Sequence, residues 1–96
     1  MRKNIRSEAV EKLFEAMLSL EDVDECYTFF QDICTVNELL SLSQRFDVGV
    51  RLLKGQTYQE ISEATGASTA TISRVGRLLT DENDGIEMAI ERIQEK

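Results

Sequence analysis

Between residues 57 and 74 the chain reads Thr57-Tyr58-Gln59-Glu60-Ile61-Ser62-Glu63-Ala64-Thr65-Gly66-Ala67-Ser68-Thr69-Ala70-Thr71-Ile72-Ser73-Arg74. Two helix starts and one stop are written into this stretch. Thr57 with Glu60 three residues later is a capping box, in which each side chain bonds the other residue's backbone amide. Gly66 can take the left-handed conformation that ends a helix, and Ser68 then caps the next one. A helix of about two turns, a glycine stop and a fresh cap within a few residues predict a tight helix-turn-helix spanning about residues 57–79. Ser62 is small where two steeply crossing helices need a short side chain, and Ile72 fills the crossing.

Helical spacing decides which side chains face outward. With Ile61, Ile72 and Val75 turned inward, Ser68, Thr69, Ala70 and Ser73 point out at the N-terminal end of the second helix. When such a unit binds duplex DNA, that end enters the major groove. Small hydroxyls and a methyl suit close approach to base edges, while Thr57, Gln59 and the backbone amides beside them can bind phosphate. Arg74 and Arg77 add positive charge. A plainer reading stays open, in which the hydroxyls only cap two adjacent helices and the arginines are solvated surface.

Charge is distributed in a way that favours the same stretch. The 96-residue chain has a formal net charge of −7, which argues against a protein that coats nucleic acid indiscriminately. Residues 51–79 nonetheless carry four basic and two acidic side chains. Residues 1–50 hold five basic and ten acidic, and residues 80–96 two basic and six acidic. Any phosphate-facing surface is therefore expected within 51–79.

Outside the motif, apolar residues recur at helical spacing and no alternating strand pattern competes. The first helix is predicted from about Ser7 to Leu20, and the second from a start at Ser19 to near Cys34. Thr35 and Glu38 form another capping box and open a long third helix that Gly55 closes. After the polar run Thr80-Asp81-Glu82-Asn83-Asp84-Gly85, a sixth helix carries Ile86, Met88, Ala89, Ile90 and Ile93. The expected architecture is all-α, with six helices in one DNA-binding domain over residues 1–96. The first two helices and the last carry more apolar surface than a small monomer can hide, so a helical homodimer is expected.

Several classes are disfavoured. The chain has no His and no Pro, no glycine-rich phosphate loop and no nucleophile with a base at catalytic spacing, so no enzyme is expected. Its two cysteines, Cys26 and Cys34, fall within apolar helical patterns and read as buried thiols rather than a redox pair or metal ligands. No apolar run is long enough to span a bilayer and the start lacks a signal-peptide pattern, which predicts a cytoplasmic protein without membrane partners. A dimeric adaptor that docks onto another transcription component remains the alternative to a DNA binder, and salt-dependent DNA binding separates the two.

Leu52-Leu53-Lys54-Gly55, followed by the motif and by Ala70-Thr71-Ile72-Ser73-Arg74, resembles the Trp repressor superfamily from about Phe30 to the last helix. Within it, the short acidic chain and Arg74-Val75-Gly76-Arg77-Leu78-Leu79 are most similar to the YerC/YecD branch of Trp-repressor-related proteins. The resemblance implies a six-helix, intertwined homodimer that regulates transcription, most simply as a repressor, and places two recognition helices one DNA turn apart. It also implies a possible effector cleft. Two arginines that sandwich the indole ligand in Trp repressor fall on Arg45 and Arg74, and two ligand-side threonines on Thr35 and Thr71. Val75 stands where the repressor has a glycine lining that site, and Leu78 where it has a serine near the ligand's amino group. A β-branched wall and a lost polar partner argue against tryptophan as corepressor, and no cofactor is expected. The alternative roles for Arg45 and Arg74 are pairing with Asp47 or Glu38, or phosphate contact alone.

Overall fold

Short polar side chains bonding otherwise free amides set most of the helix boundaries. The computed structural model describes residues 5–80 and 84–94. Six helices form among the described residues: α1 (Glu8–Leu18), α2 (Val23–Ile33), α3 (Val36–Leu53), α4 (Tyr58–Thr65), α5 (Thr69–Leu79) and α6 (Gly85–Gln94). No strand occurs among the described residues, as the all-α reading expects. Ser7 accepts from the Val10 amide at 3.1 Å and starts α1. Both expected capping boxes form, with amide-to-carboxylate distances of 2.8 Å at Thr35–Glu38 and at Thr57–Glu60. The return bonds from Glu38 and Glu60 amides to the threonine hydroxyls are each 3.1 Å.

One boundary differs from expectation. Ser19 does not start α2; its hydroxyl donates back to the Ala16 carbonyl at 2.6 Å and closes α1. Asp22 is the cap instead, accepting from the Glu25 amide at 2.8 Å, while Glu25 accepts from the Glu21 amide at 2.9 Å. A carboxylate outcompetes a hydroxyl here because it also answers the positive end of the helix dipole. Of the polar run before α6, Asp81, Glu82 and Asn83 lie outside the described residues.

The chain's contacts divide into two compact units, Met1–Leu39 and Leu40–Lys96, with the division inside α3. In the first unit, neither α1 nor α2 has a buried residue. Phe29 and Phe30 meet edge to face, with ring centroids 5.3 Å apart. Cys26 is exposed and Cys34 half-buried, both as free thiols, so the expected burial of the cysteines is not found in this chain. The cause is the same: α2 has an apolar stripe but no buried position.

The second unit holds the core. Val48 from α3, Ile61 from α4, Ala67 from the turn, and Ile72 and Val75 from α5 are buried, with Leu52 and Leu79 packed against them. Full burial of an aliphatic side chain of this size stabilises by about 1.5–3 kcal/mol, so a core of five residues is thin. Gly49 completes it: a Cβ there would lie 2.5 Å from Ile86 Cδ1 and 3.7 Å from Val75 Cγ1, so α6 approaches α3 through the space a side chain would fill. No helix among the described residues is long and apolar enough to cross a membrane.

Gly66 sits at φ +75°, a conformation that a Cβ disfavours, whereas Gly85 opens α6 with ordinary φ and open space around it. Gly66→Ala is therefore expected to lower unfolding free energy by about 1–2 kcal/mol. Gly85→Ala is expected to leave it unchanged or raise it by up to about 1 kcal/mol. Urea denaturation at one fixed protein concentration measures both.

Candidate nucleic-acid interface

α4 begins with its capping box, which consumes the amides of Thr57 and Glu60, while the Ile61 amide bonds the Thr57 carbonyl at 3.0 Å. The amides of Tyr58 and Gln59 remain for an outside acceptor. Their positive end is already opposed in part by the Glu60 carboxylate that caps it. Thr57 and Gln59, both assigned to phosphate in the sequence reading, are exposed.

The turn is held more tightly than its sequence spacing indicates. The Gly66 amide bonds the Ser62 carbonyl at 2.8 Å, and the Ser62 hydroxyl donates to the Ala67 carbonyl at 2.9 Å. Ser62 is thus a polar clamp as well as a small residue at the crossing. Thr65 donates to the Ile61 carbonyl at 2.7 Å and accepts from the Ala67 amide at 3.1 Å. From α3, Gln44 donates to the Thr65 carbonyl at 3.3 Å. Sequence reasoning missed Gln44, Thr65 and Ala67. A hydroxyl just before a helix-ending glycine was the available signal for Thr65, whereas no local pattern marks Gln44, which acts across 21 positions.

α5 exposes part of the side-chain set that the spacing turns outward, with two differences. The Ser68 hydroxyl accepts from the Thr71 amide at 3.1 Å and donates to Thr71 Oγ1 at 3.2 Å, so it is committed to the cap. Thr69 and Ala70 are exposed; Ser73, expected outward, is half-buried. Ile61, Ile72 and Val75 point inward as the spacing predicts. Among the six helices, α5 alone has no acidic residue in its first turn.

The arginines separate into two kinds. Arg51 is engaged, its Nε 3.0 Å from Asp47 Oδ1 and its Nη1 donating to Gln56 Oε1 at 3.4 Å. Arg45, Arg74 and Arg77 are exposed and make no hydrogen bond or ion pair among the described residues. The pairing of Arg45 or Arg74 with Asp47 or Glu38 is not found, because Asp47 is taken by Arg51 and Glu38 caps Thr35.

Of the residues assigned to an effector cleft, Val75 is 3% exposed and belongs to the core, where its Cγ1 lies near Gly49. Thr71 is half-buried and tied to Ser68. Thr35 caps α3 from the first unit. No group of three or more His, Cys, Asp or Glu among the described residues is placed to hold a metal.

Comparison with known proteins agrees with this geometry. Residues 8–94 match the family described as Trp repressor protein. The chain is 52% identical over 91 residues to YerC of Bacillus subtilis (strain 168), whose function is uncharacterised, covering 95% of this chain and 88% of that protein. A solved TrpR-like protein from Eubacterium eligens ATCC 27750 superposes with a TM-score of 0.90 at 57% identity, covering 94% of this chain and 93% of that one. A second solved chain, from Staphylococcus aureus, gives a TM-score of 0.89 at 49% identity, with 96% and 92% covered. The family is one of DNA-binding regulators and not of enzymes.

Thr65→Val keeps the shape of the side chain but strands the Ala67 amide beside the core. It is expected to cost about 1–3 kcal/mol, the penalty of an unsatisfied buried donor. Thermal unfolding followed by circular dichroism checks this, and a value within error of the native chain counts against the role of Thr65 in the turn.

Proposed function

The chain belongs to the Trp repressor family, and from that membership we propose that it is a cytoplasmic transcriptional regulator, a repressor, that binds duplex DNA sequence-specifically through the α4–α5 helix-turn-helix. The observation that carries this reading is the start of α5. There, exposed Thr69 and Ala70 stand on a first turn free of carboxylates, with the unpaired guanidinium groups of Arg74 and Arg77 further along the same helix. Five other helices open with acidic residues that would repel phosphate. In this reading Thr69, Ala70 and Ser73 face base edges, Ser68 orders the helix end, and Thr57, Gln59, Arg74 and Arg77 hold the backbone.

The active species is proposed to be a homodimer. α1, α2 and α6 have no buried residue, and Leu18, Val36 and Val23 are 84%, 73% and 70% exposed. Burying such side chains against a second copy supplies stability that the thin core lacks, and a two-fold dimer matches palindromic half-sites. Tryptophan is not proposed as an effector. Burial of Val75 supports this, because a β-branched side chain packed into the core cannot withdraw to admit an indole ring.

Four outcomes are expected. Light scattering at micromolar concentration gives a dimer; a monomer contradicts the proposal. A duplex selected from random sequences binds with an affinity that falls as salt rises. Arg77→Ala lowers the salt slope and weakens all duplexes alike, whereas Thr69→Ala changes preference at particular base pairs by about 1–3 kcal/mol. Salt-independent or absent DNA binding favours the adaptor reading. Calorimetry with millimolar tryptophan gives no saturable heat; a tenfold gain in DNA affinity on adding it reverses the assignment of Arg45 and Arg74.

A further inference from the structure

Gly76 lies in the middle of α5, yet its φ is not positive, so the backbone does not require glycine there. Its surroundings do. A Cβ at residue 76 would lie 3.4 Å from the Tyr58 hydroxyl oxygen and 3.8 Å from Leu52 Cδ1. The first side chain of α4 therefore reaches across to α5 and rests its polar tip on the bare backbone of Gly76. An alanine would just touch the phenol, whereas the branch of a valine would collide with it.

Position 76 follows Thr69 by seven residues and Ser73 by three, so all three lie on one face of α5. At a rise of about 1.5 Å per residue, the phenol oxygen sits roughly 4.5 Å along the helix from the level of Ser73. Tyr58 is 42% exposed and its hydroxyl makes no hydrogen bond among the described residues. A tyrosine tip normally finds a partner when it is covered; this one is held at the surface, in line with the reading face, with its donor unused. Gln59, exposed, follows it directly in sequence.

We propose that Tyr58 is a further DNA-contacting residue, its hydroxyl donating to a backbone phosphate at the edge of the groove, and that Gly76 is a positioning residue whose missing side chain seats the phenol there. The inference rests on the DNA-binding reading above. A neutral hydroxyl carries no counterion-releasing charge, so its contribution differs in kind from that of an arginine.

The test uses the full chain and a duplex that it selects from a random pool, with affinity measured by fluorescence anisotropy across a salt series. Tyr58→Phe is expected to weaken binding about three- to tenfold, the worth of one hydrogen bond. The loss is equal on every duplex, and base preference, salt slope and melting temperature are unchanged. Arg77→Ala, run beside it, lowers the slope. Gly76→Val gives a loss at least as large, and adding it to Tyr58→Phe removes little more, because the hydroxyl is already gone. Should Gly76→Val lose its helical circular dichroism, the Tyr58→Phe result decides alone. Native affinity in Tyr58→Phe, or a changed base preference, overturns the assignment while leaving the DNA-binding reading intact; a native chain that selects no duplex overturns both.

Discussion

The crossing of α4 over α5 is the constraint on which the second unit depends. Gly66 turns the chain through a left-handed residue, Ala67 goes inward, and Ile61 and Ile72 meet with no exposure to solvent. Ser62 and Thr65 satisfy the backbone groups that so abrupt a turn would leave unpaired. Because the turn is fixed at both its apolar and its polar side, the direction of α5 is fixed with it. Thr69 and Ala70 then project from the helix start, and Gly76 comes under Tyr58. A reading head of the kind proposed, built this way, needs no mobile part, because the two-helix wedge is held rigid by packing and hydrogen bonds.

Electrostatics are settled by placement rather than by total. A chain of net charge −7 should avoid a polyanion, but most carboxylates stand on other helices, several of them capping helix starts. What is left around α5 is a small area of hydroxyls, methyls and unpaired guanidinium groups. Arg51 shows the contrast, since its charge is spent on Asp47 and adds little to any field at the surface. An overall negative charge combined with a local positive tip suits a selective binder, because non-specific affinity for phosphate is kept low.

The apolar surface has a comparable logic. Three helices with amphipathic sequences but no buried residue leave a stability deficit where the core among the described residues is five side chains. In the proposed dimer the deficit is what drives association, so folding and pairing are one equilibrium and the reading heads are presented only in pairs. Gly49 follows the same principle inside the chain, where a missing side chain lets Ile86 of α6 reach α3.

How far the sequence determined these features depends on the range of the interaction behind each. Capping boxes, the glycine turn, the six helices and the inward set Ile61, Ile72 and Val75 were legible because each is decided within about one or two helical turns of chain. The start of α2 was misplaced at Ser19 because Ser19 and Asp22 offer two caps three residues apart, and the better acceptor prevails. The ion pair that takes Asp47 is itself local, an i,i+4 contact with Arg51 along α3 that the spacing offers; tertiary structure decided what lies between elements. It alone decided that Gln44 braces the turn from 21 residues away, and that Gly76 is small to seat a phenol rather than to bend the backbone. Local hydrogen-bonding patterns are written in residue type and spacing, whereas contacts between elements exist only once the crossing angle of the helices has been set.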